Sequence, residues 1–269
     1  MKKAVSALSL ILGVVFLVWP SVAQESVEEL SKTAANPVAD LMSFPFQNNT
    51  NFGLGPHDRT ANALNIQPVI PLAGGKIITR TIFPVLWIPE VASESGMRST
   101  GLGDILFTAF YVPSVPGKGI WGLGAALEIP AGGEKRGTQK WSVGPSIVYL
   151  IQPGEWTLGV LANNLWSFAG SADRGAVSKM VINLFIVYQL GQGWYVNSAP
   201  IISADWNAPS GQQWIVPLGV GAGKLSFVGK LPLNVQVGAF YNVAKPDVGP
   251  DWQLRVQVQV LLPTKIIGG

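Results

Sequence analysis

The sequence predicts an all-β protein: a 12-stranded antiparallel transmembrane β-barrel with short periplasmic turns and longer extracellular loops. Three observations lead to this fold: long segments of alternating apolar and polar residues, scarce charge, and tryptophans at segment ends. Charged residues make up only 12% of the chain, about half the ~25% typical of a soluble domain. After the first 20 residues no apolar run approaches the ~20 residues of a spanning helix. Strands can cross lipid only as a closed barrel, which satisfies every backbone group.

The segment at 252–262 shows the alternation most clearly. One face carries Trp252, Leu254, Val256, Val258, Val260 and Leu262, and the other carries Gln253, Arg255, Gln257 and Gln259 before Leu261 interrupts the pattern. Such alternation is typical of a β-strand with one apolar and one polar face. The segment is longer than an ordinary strand of ~5–6 residues and matches a tilted membrane strand of ~9–11.

Residues 1–23 are predicted to be a secretory signal peptide. The chain opens with two lysines, continues with an apolar run at 4–19 and reaches a small residue at Ala23. This order of basic start, short apolar core and small cleavage residue is typical of a signal peptide. A membrane anchor is the alternative, and it needs ~20 apolar residues.

The remaining composition bounds the partners and the chemistry. Without Lys2 and Lys3, 16 basic residues face 15 acidic ones, so we expect no nucleic-acid partner. The chain has no cysteine, which excludes disulfides, thiol catalysis and thiolate metal sites. We expect no cofactor and no metal.

The mature chain divides into three predicted parts. Residues 24–43 are polar, lack strand alternation and form an N-terminal arm in the periplasm or the lumen. Residues 44–263 form the barrel, and residues 264–269 form a C-terminal tail. The predicted strands are 44–53, 61–72, 76–88, 102–112, 119–129, 140–151, 156–168, 179–190, 194–206, 213–224, 231–243 and 252–262.

Connectors between these segments alternate in length. Short turns rich in Gly or Pro lie at 73–75, 113–118, 152–155, 191–193 and 225–230, and longer links lie at 54–60, 89–101, 130–139, 169–178, 207–212 and 244–251. Alternation of short and long connectors is typical of outer-membrane barrels. An even number of strands places both termini in the periplasm.

The nine tryptophans after residue 23 fall near strand ends. Trp121, Trp156 and Trp194 follow short turns, and the other six border longer links. Two aromatic belts at the water–lipid interfaces are expected of a barrel in a bilayer. In a secreted β-sandwich, the alternative fold, large aromatic residues would instead concentrate in the core.

Five prolines lie inside predicted strands, and each removes a donor from the ladder. These are Pro68, Pro84, Pro145, Pro200 and Pro217. Because proline in a sheet is confined to edges or bulges and a closed barrel has no edges, we expect bulges or kinks at these positions.

Several short sequence motifs resemble those of a family of Gram-negative outer-membrane proteins. They are NPVADL at 36–41, FQNN at 46–49, NIQPVIP at 65–71, GLGD at 101–104, WSFAG at 166–170, GWY at 193–195 and PDWQLR at 250–255. The family is labelled as transporters of the meta-pathway phenol-degradation type, and many members carry the misplaced label neuromedin U. The resemblance covers the chain from about Glu29 to Pro263.

The resemblance implies an outer-membrane channel for passive passage of small, hydrophobic or aromatic, molecules. Its expected partners are outer-membrane lipids, a small-molecule permeant and the barrel-insertion machinery. Such barrels commonly end on an aromatic residue that the machinery reads, whereas this sequence runs on through residues 263–269.

Charged residues on the predicted inward face are few. They are Arg80, Asp104, Glu128, Lys179, Asp205 and Arg255. As a group below the outer mouth they are candidates for a selectivity zone, since charged pore linings sort solutes by field and hydrogen bonding. The alternative is that the two signs pair across adjacent strands and stiffen the barrel. The deeper inward positions are mostly glycine, small residues or amides, which predicts sheet curvature or space for the arm or a permeant.

The arm is predicted to plug the periplasmic end of the lumen. Its candidate residues are Asn36, Pro37, Val38, Asp40 and Leu41. Pro37 disfavours helix in the residue before it, so residues 36–41 would run extended. Val38 and Leu41 could then contact the lumen wall, and Asp40 could meet Arg80. A disordered periplasmic tail is the alternative.

Two other function classes remain open. A structural barrel with a blocked lumen would work through its loops, which are short. An outer-membrane lipid hydrolase would need a base and an oriented nucleophile, and His57, the only histidine, lies in the first outer loop without a serine forced near it. We predict no catalytic residues, and a lone histidine makes a poor metal site.

Overall fold

The computed structural model describes residues 27–91, 97–113 and 119–262. The predicted signal peptide at 1–23 and the predicted tail at 264–269 lie outside these ranges. Within these ranges one α-helix, α1 (Val27–Ala34), precedes the strands, and a short 3₁₀ helix (Gly55–His57) follows the first strand. None of the helices in the described ranges is long and apolar enough to cross a membrane.

The strands form one antiparallel sheet. Their bounds are β1 Met42–Leu54, β2 Arg59–Ile66, β3 Val69–Leu72, β4 Ile77–Pro89, β5 Arg98–Leu102, β6 Ile105–Tyr111, β7 Ile120–Ile129, β8 Lys140–Ile151, β9 Trp156–Gly170, β10 Ser178–Gly191, β11 Trp194–Ser198, β12 Ile201–Asp205, β13 Trp214–Val228, β14 Leu231–Ala244 and β15 Trp252–Leu262. Three wall strands are interrupted, so β2 with β3, β5 with β6, and β11 with β12 each make one crossing. Fifteen strand pieces thereby build twelve crossings.

The first and last strands close the sheet on itself. On one side β1 pairs with β15, placing Phe46 opposite Val258. On its other side β1 pairs with β2, placing Gln47 opposite Asn65. Pairing on both sides leaves no open edge, so the predicted 12-stranded antiparallel closed barrel is confirmed.

The two faces of β15 are those that the alternation predicts. Arg255 and Gln259 are buried on the inner face, whereas Val256 and Val258 are each 37% exposed on the outer one. Leu261, which interrupts the polar pattern, is fully buried on the inner face. The outer wall is therefore apolar, as lipid requires, and the lumen is mixed.

Aromatic residues line the outer wall near both ends of the strands. The exposed members near the loop end are Trp141, Trp166, Trp206, Trp214, Tyr241 and Trp252, and those near the turn end are Tyr111, Tyr149, Trp156 and Trp194. Neighbouring strands pack these rings together, for example Trp206 against Trp214 at 5.4 Å between centroids. Trp87 and Trp121 are half-buried members of the same face. The arrangement gives the two interfacial belts of a membrane barrel.

The prolines disturb the wall at four of the five expected positions. The second crossing breaks just before Val69, at Pro68, and the ninth breaks before Ile201, at Pro200. At Pro217 the register between β13 and β14 shifts by one residue. At Pro84 the partner crossing of β4 breaks between Leu102 and Ile105, and the register shifts by one residue between the pairing of Ile82 with Leu106 and that of Val85 with Leu102. Pro145 instead lies within the continuous strand β8. The expectation of a bulge or kink at every proline was therefore too broad.

Four connectors are at least three residues shorter than predicted, namely those predicted at 54–60, 89–101, 169–178 and 225–230. The predicted turn at 225–230 shortens to Gly229 and Lys230, because β13 continues to Val228. The predicted outer link at 54–60 shortens to residues 55–58, since β1 ends at Leu54 and β2 begins at Arg59. Hydrogen bonding to the neighbouring strands continues through polar residues that sequence patterning assigns to links.

The orientation of the barrel gives a first prediction. An epitope inserted after the exposed Lys135, in the link at 130–139, should be labelled by antibody on intact cells. The same epitope inserted after Gly154, in the turn at 152–155, should be labelled only after the outer membrane is permeabilised. Both sites are exposed, so accessibility to the antibody is matched. Reversed labelling would contradict the orientation.

Candidate functional site

Helix α1 lies against the end of the barrel that carries the short turns, which we call the inner end. Polar contacts tie the helix to the barrel wall. Ser31 Oγ donates a hydrogen bond of 2.8 Å to Gln189 Oε1 on β10. Gln152 Nε2 donates to the carbonyl of Lys32 at 2.9 Å. The backbone N–H of Gln192 donates to Glu28 Oε1 at 3.0 Å. The helix therefore contacts strand β10 and two of the turns predicted to be periplasmic, those at 152–155 and 191–193.

Apolar packing fixes the same helix from the other side. Leu30 is 5% exposed and packs with Leu225 on β13 and Leu261 on β15. Burial of a leucine stabilises such a contact by roughly 1.5–3 kcal/mol. This contact explains why Leu261 breaks the polar alternation of its strand, since its partner is the helix and not water.

The segment after α1 reaches the opposite part of the wall. Val38 is 3% exposed and lies in an apolar cluster inside the lumen with Val69, Ile78, Phe110, Val148, Leu150 and Leu161. These partners belong to β3, β4, β6, β8 and β9. In a barrel of twelve crossings, β15 and β8 lie about half a circumference apart. Strand β1 begins at Met42, so residues 42 and 43, which were predicted to belong to the arm, are part of the wall. The described part of the arm, residues 27–41, therefore spans the inner end of the lumen.

The other predicted arm residues have distinct positions. Helix α1 ends at Ala34, before Pro37. The predicted extended course of residues 36–41 is wrong, because residues 36–39 form a turn in which the Asn36 side chain accepts from the Val38 N–H at 2.9 Å and the Asn36 carbonyl accepts from the Ala39 N–H at 3.3 Å. Leu41 packs against the cluster of Leu30. The expected meeting of Asp40 with Arg80 is not found among the described residues, because Asp40 is exposed and lies beside the turn at Gly75.

Two of the six predicted lumen charges come together as an ion pair. Lys179 Nζ lies 2.5 Å from Glu128 Oε1, and the Glu128 side chain is 9% exposed. Asp104 instead accepts hydrogen bonds from Gly132 N–H and Thr138 N–H, at 3.0 and 2.6 Å, and shapes the link at 130–139. These contacts lie in the half of the barrel nearer the longer links.

Among the described residues the two arginines make no ion pair, and Asp205 makes none either, although it lies opposite Lys179 on the neighbouring strand β12. Asp205 Oδ1 accepts a hydrogen bond from the Asn207 N–H at 3.0 Å and closes a local turn. Arg80 Nη2 donates to Gln67 Oε1. Arg255 is 4% exposed and its Nε donates to Asn49 Oδ1 at 3.1 Å. The Glu128–Lys179 pair joins β7 to β10, which β8 and β9 separate, so within the described ranges none of the six charges forms the ion pair across adjacent strands that was considered.

A cavity of about 150 Å³ lies between the arm and the barrel wall. Both Arg80 and Arg255 line it, as do arm residues from Ser31 to Leu41. Its amide-bearing lining residues are Asn36, Gln47, Gln67, Asn183, Asn197, Asn234, Gln236, Gln257 and Gln259. The structure thus brings the two predicted arginines and the predicted arm to one site.

Tyr195 is a member of this site that was not among the predicted site residues. It is 5% exposed, its ring lies over Gly223, and its hydroxyl donates to Asn234 Oδ1 at 2.8 Å. Because Trp194 faces lipid, alternation alone places Tyr195 inside. The resemblance at 193–195 drew attention to the tyrosine without assigning it to the lumen.

Two of the inward glycines allow neighbouring strands of the wall to approach closely. A Cβ on Gly144 would collide with the Asn164 carbonyl, and a Cβ on Gly124 would collide with the Ala109 carbonyl. At both positions the neighbouring backbone occupies the space that a side chain would need. Close strand approach therefore explains these two glycines without a permeant.

His57 lies in the short 3₁₀ helix of the first outer link and is exposed. Within the described part of the chain its side chain makes no hydrogen bond to a serine or a carboxylate. A nucleophile oriented by a base is therefore not formed around His57 in this conformation.

Solved structures of outer-membrane proteins share this fold. An outer membrane channel from Pseudomonas putida F1 has a TM-score of 0.58 and 15% sequence identity, covering 82% of this chain and 94% of the other. The NanC porin has a TM-score of 0.54 and 6% identity, covering 81% of this chain and 98% of the other. No protein-family model and no curated protein matches the sequence.

These likenesses, at identities below 25%, concern the fold. A closed antiparallel barrel with an even number of crossings, an apolar outer wall and two aromatic rims is the architecture of bacterial outer-membrane proteins. The exposed apolar residues of the outer wall need lipid around them. The predicted location in the bacterial outer membrane is therefore confirmed.

Proposed function

We propose that the protein is an outer-membrane channel for passive passage of small molecules, closed at its periplasmic end by the arm. This proposal rests on the arm. The arm spans the inner end of a closed barrel, and side-chain contacts hold it there instead of strand pairing. Among the described residues its ties include three hydrogen bonds, two apolar clusters and an ion pair, Lys32 Nζ to Glu155 Oε2 at 3.3 Å. That ion pair is largely exposed and adds little, about 0–1 kcal/mol. Contacts of this kind can be released without unfolding the barrel.

The permeants we propose are small and include hydrophobic or aromatic molecules. A cavity of about 150 Å³ equals the ~150 Å³ of an engineered apolar cavity that binds benzene. The sequence resemblance to transporters of the meta-pathway phenol-degradation type favours the same size class. Four of the six predicted lumen charges would act on such solutes at two levels, with the Glu128–Lys179 pair nearer the longer links and the two arginines nearer the arm.

A structural barrel with a permanently blocked lumen is the second candidate. It is favoured by the depth at which Val38 is buried, since a segment packed into an apolar cluster resembles a permanent core. A lipid hydrolase is a weaker candidate because the exposed His57 lacks an oriented nucleophile among the described residues. We therefore propose no enzymatic activity.

Planar-bilayer conductance distinguishes the two leading candidates. The mature protein is compared with a chain that begins at Met42, the first residue of β1. We expect the shortened chain to carry a larger or noisier current, because removal of the arm opens the lumen. Correct folding of both chains is checked by heat-modifiable migration on gels. Indistinguishable traces from two folded barrels would contradict the role of the arm as a plug.

A further inference from the structure

The cavity between the arm and the wall carries positive charge without a counter-charge. Its lining includes Arg80 and Arg255 and, among the described residues, no aspartate or glutamate. Arg255 is 4% exposed and Arg80 is half-buried. The ion pairs formed by described residues involve neither guanidinium. Two cations therefore face one small space.

The acids of the lumen are engaged elsewhere. Asp104 is held by the link at 130–139 through Gly132 and Thr138. Glu128 lies in its ion pair with Lys179, and Asp205 is exposed in a turn. None of these acids lines the cavity.

The hydrogen-bond partners of Arg255 are all neutral. Its Nη1 donates to the Ala199 carbonyl at 2.7 Å and its Nη2 donates to Gln253 Oε1 at 3.1 Å. With the bond from Nε to Asn49, three of the five N–H groups of a guanidinium are used. The centroid of the Phe240 ring lies 4.5 Å from the guanidinium carbon, so the ring packs against this group. The group is thus held rigidly, while its charge stays uncompensated, which is unfavourable in a buried site.

The apolar residues of the lining and the volume of the cavity determine what kind of ligand body fits. Leu41, Phe185, Val187 and Leu261 supply apolar surface, and the volume of about 150 Å³ is that of a cavity that accepts one aromatic ring. A planar carboxylate matches a guanidinium in geometry as well as in charge, because two parallel N–H groups can bind its two oxygens. A single negative group on a compact apolar body fits both features.

We propose that this cavity binds a small organic carboxylate with an apolar body no larger than about one aromatic ring. Arg255 and Arg80 hold the carboxylate, and the apolar lining holds the body. The proposal deepens the channel function and rests on it, since it names the substrate class that passes the arm. Binding itself requires only the folded barrel with its arm in place.

Equilibrium binding to the mature protein in detergent tests this proposal independently of conduction. Benzoate is titrated by calorimetry, with benzamide as the neutral molecule of matched shape and inorganic phosphate as an anion without an apolar body. We expect benzoate to bind at least about tenfold more tightly than benzamide, as a charge-assisted bidentate pair requires. Salt screens charges that are open to solvent more than buried charges. The preference for benzoate should therefore weaken with added salt only as far as the cavity is open to solvent.

Variants locate the binding. Arg255→Gln should weaken benzoate binding by about tenfold or more, since it removes the charge and keeps some hydrogen bonding. Lys224→Gln is the matched control, because it changes the net charge equally and Lys224 lies over the Trp194 ring on the outer wall. The affinity of this variant for benzoate should equal that of the unchanged protein. If Arg255→Gln fails the heat-modifiability check, Arg80→Gln replaces it and should show the same direction.

Equal affinities for benzoate and benzamide would overturn the proposal, as would tighter binding of phosphate than of benzoate. Unchanged benzoate binding in a folded arginine variant would also overturn it. A protein that binds benzoate but carries no current in bilayers would retain this site while the channel function fails. A protein that conducts but does not prefer benzoate would retain the channel function without this site.

Discussion

Replacing Val258 with arginine should destabilise the barrel by ~2–4 kcal/mol, the cost of an arginine on the lipid face near the bilayer midplane. Val258 is the seventh of eleven residues in β15 and is 37% exposed. Its neighbours on the two adjacent strands are Phe46 and Val235, also exposed on the apolar outer wall. A guanidinium there would face hydrocarbon without an acceptor.

The adjacent Gln257→Arg is the matched control, because it introduces the same side chain one residue away on the other face. Gln257 lies between Gln47 and Gln236 on the inner wall, and all three line the cavity. Amide oxygens there can accept hydrogen bonds, so the expected loss is about 1 kcal/mol, mainly from repulsion with Arg255. The free energy of unfolding is measured by urea titration in lipid vesicles. Equal losses for the two variants would contradict the assignment of faces.

The fold was predictable where polar and apolar residues alternate strictly. In β15 the alternation alone separates Val258 from Gln257, because a period of two admits only one assignment of faces to lipid. The single exception, Leu261, marks the place where the lumen wall meets α1 instead of water. An interruption of the pattern was thus informative, although the sequence did not name its partner.

The first strand shows where alternation fails. Residues 48–51 of β1 are Asn, Asn, Thr and Asn, so both faces are polar. In the structure Asn49 faces the lumen and accepts from Arg255, whereas Asn48 faces outward and exchanges hydrogen bonds with Asn62 at 2.9 Å. Polar groups on the outer face are tolerated here because they bond to one another across the strand pair. Such mutual satisfaction depends on register, which composition does not specify.

The partners of the lumen charges could not be predicted for a related reason. Arg80 was expected to meet Asp40, and it meets Gln67 instead. Gln67 is 3% exposed and precedes Pro68 at the break between β2 and β3, so an irregularity of the wall turns its side chain toward the arginine. The height of each side chain in the lumen depends on strand stagger and on such breaks. Identities of the inward residues were therefore predictable, while most of their contacts were not.

The arm offers the second large effect, because it can be locked in place reversibly. The chain has no native cysteine, so Ser31→Cys with Gln189→Cys introduces the only two thiols. The native side chains at these positions lie 2.8 Å apart, between Ser31 Oγ and Gln189 Oε1. A short bifunctional thiol reagent with a reducible spacer can therefore join the arm to β10. The two single-cysteine variants, treated in the same way, control for modification without a link.

Single-channel recording of the cross-linked double variant, before and after reductant is added to the same bilayer, tests most directly whether the arm closes the channel. The arm held by Leu30 and Val38 should leave the lumen only transiently, since each buried apolar side chain stabilises the docked arm by roughly 1.5–3 kcal/mol. We predict that the linked protein shows no opening events and that reduction restores them, while the single variants open throughout. Openings of equal size and frequency before and after reduction would contradict the account, because a fixed arm would then leave the conducting path unobstructed.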